Sequence, residues 1–95
     1  MKWQILLEIR LRGDADDIEA LLDSAMEHLV DAAIEDPSVG ADLEVGMVEI
    51  EFVVDGDTLE EAHQRAQGII AEALALPPGS ELVGESTRKA ELVPA

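Results

Sequence analysis

Ninety-five residues, 47% of them apolar, suffice for one hydrophobic core but not two, and so large an apolar fraction excludes a disordered acidic tail. A formal charge of -16 at pH 7, from 22 acidic against 6 basic side chains, repels phosphate backbones and anionic lipid surfaces and disfavours direct nucleic-acid binding. Cysteine is absent, which excludes disulfides, thiolate metal sites and cysteine nucleophiles and leaves the redox compartment open.

The chain begins with a clean alternation. Trp3, Ile5, Leu7, Ile9 and Leu11 fall on one face and Gln4, Glu8 and Arg10 on the other, as in a half-buried strand, with Leu6 the apolar exception on the polar side. Glu8, Arg10 and Arg12 interrupt any signal-peptide core, and no later run is long enough to cross a bilayer, so the expectation is a cytoplasmic protein without membrane association.

Gly13 and Asp14 close the strand. Asp14, Asp16, Asp17 and Glu19 then supply N-cap candidates and an acidic first turn, and Ile18, Leu21, Leu22, Ala25, Leu29 and Ala33, flanked by Met26 and Val30, predict a long amphipathic helix. Its predicted stop is Asp36-Pro37, because a residue before proline avoids the α region. Between Val39 and Val54 the strand signal has two phases: Leu43 and Val45 in one, Val48, Ile50, Phe52 and Val54 in the other, with Gly46 at the change. A hairpin is favoured over a single strand bulged at Gly46. Thr58 and Glu61 have capping-box spacing ahead of a second helix that should bury Leu59, Ala62, Ala66, Ile69, Ile70 and Ala73 and end at Pro77, Pro78 and Gly79. The stretch from Glu81 to Val93 alternates weakly and reads as an edge strand, with Arg88 and Lys89 discouraging edge pairing.

Strand, helix, two strands, helix, strand is the ferredoxin-like order: a single α+β domain over residues 1–95, with an antiparallel four-stranded sheet and two helices on one face. This resembles an architecture shared by unrelated functions. The chemistry of several such domains lacks its residues here. Copper-chaperone-like domains need paired cysteines and acylphosphatase-like chemistry an asparagine, both absent, and RNA-recognition domains show aromatic and basic groups where this chain offers Glu49 and Glu51. Small dimeric monooxygenases, with Trp3 and the histidines, and ligand-sensing ACT-type domains, with Arg12-Gly13-Asp14 at the first strand–helix junction, are similar in outline only.

Charge is segregated along the chain: between Arg12 and Arg65 stand seventeen Asp or Glu residues and no Lys or Arg. Glu19, Asp23, Glu27, Asp31 and Glu35 recur every four residues and predict a carboxylate ridge along the first helix, either a solvated face or a surface for a basic protein partner. Ser24, His28 and Asp31 do not make a hydrolytic triad, because a mid-helix serine has its neighbouring backbone N–H groups already bonded and offers no oxyanion site. Glu60 and His63 have the i, i+3 spacing of carboxylate metal sites, but one pair near His28 or Asp31 is less expected as a ligand set than as a histidine bonded to a polar neighbour, so neither metal nor cofactor is expected. On the open sheet face Leu6, Met47 and Val53 interrupt the charges and are candidates for a homodimer interface. The reading these features favour is a non-catalytic interaction or regulatory module. The alternatives are a small cofactor-independent dimeric enzyme and an acidic nucleic-acid mimic.

Overall fold

The computed structural model describes residues 1–76 and 80–94. It has the predicted order and architecture: β1 (Lys2–Arg12), α1 (Ala15–Asp31), β2 (Glu35–Asp42), β3 (Met47–Asp55), α2 (Leu59–Ala73) and β4 (Glu81–Leu92). The strands form one antiparallel sheet in the order β2-β3-β1-β4, so β1 and β3 are central and β2 and β4 are edges.

Period-two patterning places the core. Ile5, Leu7 and Ile9 of β1 pair in register with Phe52, Ile50 and Val48 of β3, and all six are fully buried. Both helices cover this side. From α1 come Ile18, Leu21, Ala25 and Leu29, and from α2 Ala62, Ala66, Ile70 and Ala73. The alanine face of α2 lets its backbone come close: a Cβ on Gly56 would lie 2.9 Å from the Ala62 nitrogen. Trp3 adds to this corner, its indole Nε1 donating to the Gly56 carbonyl at 3.0 Å. Both helix starts are capped as the sequence indicates, Asp14 accepting from the Asp16 amide at 2.9 Å and Thr58 Oγ1 from the Glu61 amide at 3.2 Å.

The first helix is shorter than its spacing predicts. It ends at Asp31 with Ala32 as C-cap, and the backbone then makes the two bonds of a Schellman turn: the Ile34 amide donates to the Leu29 carbonyl and the Ala33 amide to the Val30 carbonyl, both at 3.0 Å. Ala33, which the spacing placed in the helical stripe, takes the left-handed conformation of the cap (φ 57). Ile34 folds back onto the core, and the chain becomes β2 at Glu35, ahead of Asp36-Pro37. Glu35 therefore leaves the predicted ridge and pairs with Lys2 from the sheet.

The hairpin of β2 and β3 is present, with Gly46 (φ 68) ending its turn. Leu43 and Val45, expected in the strand, occupy that turn and are exposed. Leu59, expected in the core, is the first residue of α2 and 46% exposed. The second helix ends at Ala73 with Leu74 as cap, and its predicted stop at Pro77, Pro78 and Gly79 lies outside the described residues.

The edge strand β4 has two register shifts against β1. Lys89 pairs with Leu6 and Thr87 with Leu7, leaving Arg88 as the extra residue. Gly84 pairs with Arg10 and Leu82 with Leu11, leaving Val83 as the other.

Candidate functional site

Glu19, Asp23, Glu27 and Asp31 stand in line along α1, all exposed. No Lys or Arg lies on this helix, and none of the four carboxylates belongs to an ion pair among the described residues. The reason is placement. Lys2, Arg10, Arg12, Arg88 and Lys89 belong to β1 or β4, and only Arg65 lies on a helix.

Each of those cations already has a carboxylate. Lys2 pairs with Glu35 at 2.9 Å, Arg12 with Glu81 at 3.5 Å, Arg65 with Glu61 at 3.0 Å, and Lys89 with Glu91 at 3.7 Å. The Lys2 ammonium is held above its ordinary pKa, first by the hydrogen bond from Nζ to Glu35 and then by the charge of Glu35, with smaller contributions from Asp55 and Asp36. These exposed pairs contribute little stability individually, but those on the strands offset part of the acidity of the sheet face, while the face of α1 stays unneutralised.

The exception to exposure is Glu8. Its residue is 7% exposed on the open side of the sheet and stands directly opposite Glu49 in the β1–β3 register, an unfavourable like-charge pairing. Two arginines offset it, Arg88 at 3.3 Å and Arg10 at 3.9 Å. Arg88 is the extra residue of the β4 bulge, so an irregularity of the edge strand supplies a cation to a nearly buried carboxylate.

The three apolar candidates on this face differ in access. Leu6 and Met47 are half-buried, whereas Val53 is only 8% exposed already. Val53 lies between Gln4 and Glu35 in register, and these side chains reach to Glu51 and Lys2 respectively. The open face is thus a mesh of hydrogen bonds and ion pairs with two accessible apolar side chains.

On the helix side, His63 Nε2 lies 2.6 Å from Thr87 Oγ1 of β4, a histidine bonded to a polar neighbour. Among the described residues no group of three or more His, Asp or Glu side chains is arranged to hold a metal ion. The cleft between α2 and β4, floored by Ile9 and Ile70 and bordered by Gln67 and Glu85, has a volume of about 130 Å³, well below the roughly 300–1,000 Å³ of typical ligand pockets. A larger opening of about 530 Å³ separates α1 from β2, with Glu19 and Asp23 along its helical lip. Sequence reasoning did not find this groove, since it arises from the spacing of two elements rather than from a motif. Among the described residues no helix is long and apolar enough to cross a membrane.

Unneutralised charge on α1 carries a testable consequence. Like charges four residues apart each cost about 0.2–0.5 kcal/mol in an isolated helix, and screening shortens their range to about 10 Å at 0.1 M salt. The melting temperature should therefore rise between low and moderate sodium chloride. Thermal melts followed by circular dichroism check this, and a salt-independent midpoint would mean that the ridge does not oppose folding.

No protein family model matches this chain, and no curated protein is significantly similar to it in sequence.

Proposed function

We propose that the chain is a non-catalytic acidic interaction or regulatory module of the cytoplasm, which self-associates through the open face of its sheet and offers the face of α1 to a basic protein partner. The observation that carries this reading is the separation of charge between the two sides of the molecule. Among the described residues the carboxylates of α1 lack ion-pair partners, while nearly all the cations are spent on the sheet. Two copies approaching by their α1 faces bring unpaired carboxylates together, whereas two approaching by their sheets bring together faces on which cations offset part of the acidity, and so repel less. A symmetric contact through the sheets also leaves both α1 faces free, and it buries further apolar surface for a domain of modest size.

Leu6 tests the self-association. It is half-buried at the centre of the open face, with Glu51 on one flank and Lys89 on the other. Leu6→Glu should convert dimers to monomers while leaving the circular dichroism spectrum unchanged. Light scattering on the unmodified protein at high concentration supplies the decisive control, because a monomer there would refute a sheet-mediated dimer.

A further inference from the structure

The groove between α1 and β2 joins two features that the sequence keeps apart. One wall is the i, i+3, i+4, i+7 face of α1, formed by Glu19, Leu22, Asp23 and Met26, and the other is the run of residues 37–41 with Leu43 beyond it. Leu22, Met26 and Val39 are half-buried and Leu43 is 37% exposed, so the groove is apolar within and carboxylate-bearing at its lip. Because β2 ends the sheet, its outer edge has no partner strand among the described residues. Asp36, with φ 48, and Pro37, which has no N–H, interrupt only the start of that edge, and regular pairing with β3 resumes from Ser38 to Asp42.

We propose that this groove seats an extended, basic segment of a partner protein, added to the sheet alongside β2. Its apolar side chains settle on Leu22, Met26 and Val39, and its lysine or arginine side chains reach over them to Glu19 and Asp23. Charge complementarity selects a basic occupant, since neither wall carries a Lys or Arg. The open strand edge selects an extended one, because its main-chain donors and acceptors bond a strand and not a helix. Long basic side chains suit the lip, as their stems lie on apolar surface while their heads meet carboxylates. A second copy of this chain is a poor occupant, its own cations being engaged on its sheet and on α2. The inference rests on the reading of the α1 face as a recognition surface.

The probe is a synthetic seven-residue peptide of alternating lysine and valine, blocked at both ends and titrated calorimetrically into the full chain. Glu19→Gln with Asp23→Gln should weaken binding by about tenfold. Met26→Glu separates groove from charge: it adds a carboxylate, so attraction to a merely acidic surface would strengthen, whereas occupation of the groove should weaken by about tenfold or more. Leu43→Glu, in the exposed turn, repeats the test at a position that does not endanger folding. Amide exchange at residues 38–42 should slow on binding. Tighter binding to Met26→Glu and Leu43→Glu, without protection at 38–42, would overturn the groove while leaving the α1 surface standing. Binding indifferent to the loss of Glu19 and Asp23 would overturn both.

Discussion

Phe52→Ala should leave much of the protein unfolded at physiological temperature. Phe52 is the largest of the fully buried side chains, in register with Ile5 at the centre of the sheet. Truncation of a buried phenylalanine costs about 3–5 kcal/mol, through lost transfer energy and the cavity left behind. Domains typically have only about 5–15 kcal/mol in total, and for one of this length each kcal/mol moves the melting temperature by roughly 4–8 °C. The neighbours cannot readily collapse into the space, because Ile5, Leu7, Ile50 and Leu29 are themselves fully buried. Urea unfolding of Phe52→Ala and Phe52→Leu, which keeps more of the volume, provides the measurement. Equal losses from the two would show that the site relaxes freely and that packing there is loose.

Gly46→Ala should be the most damaging glycine-to-alanine change among the described residues. Gly46 has φ 68, where a non-glycine residue costs about 1–2 kcal/mol. The added Cβ would also meet the Leu11 carbonyl oxygen, a backbone atom with little room to move. The same glycine accepts a hydrogen bond from the Leu11 amide at 2.8 Å, so displacing it loosens the tie between the hairpin turn and the end of β1. The combined loss should reach about 2–4 kcal/mol. Gly68→Ala is the contrast, since Gly68 lies within α2 and a Cβ there meets nothing within 4 Å. That change should stabilise by up to about 1 kcal/mol. Denaturant midpoints that failed to separate the two variants would contradict the described turn.

The legible parts of this fold are those where one periodicity held. Alternation from Trp3 to Leu11 and from Val48 to Val54, the three- and four-residue steps of α1 and the capping box at Thr58 each had a single physical reading, and with the acidic cluster from which the structure selects Asp14 as cap they fixed the element order. The end of α1 was hidden because its cap uses alanine where glycine usually announces the left-handed turn, so the stripe seemed to run on to the proline. That error carried Glu35 onto the ridge. Leu43 and Val45 misled by a two-residue alternation, being turn residues whose exposure depends on how far the hairpin projects. The α1 carboxylates were legible because exposed helical spacing needs no tertiary information. The groove beside them and the burial of Val53 depended on neighbouring elements and could not be read from spacing.

The weak alternation of the last strand has a specific origin in its two bulges. Leu82, Ala90 and Leu92 face the core side opposite Leu11, Ile5 and Trp3, but between the bulges that side is taken by Glu85 and Thr87, opposite Ile9 and Leu7. Even and odd positions thus exchange faces twice within twelve residues. A bulge residue is also the one position whose deletion disturbs no pairing. Loss of Val83, exposed and opposite no residue of β1, would let Leu82 and Gly84 keep Leu11 and Arg10 as partners, whereas loss of Ser86 would turn Thr87 to the open side and Arg88 to the core side. Arg88 is equally dispensable to the register but not to Glu8, whose carboxylate it meets. Chains of this architecture could therefore differ in length by one residue at position 83 without any change in the order or facing of the rest of the sheet.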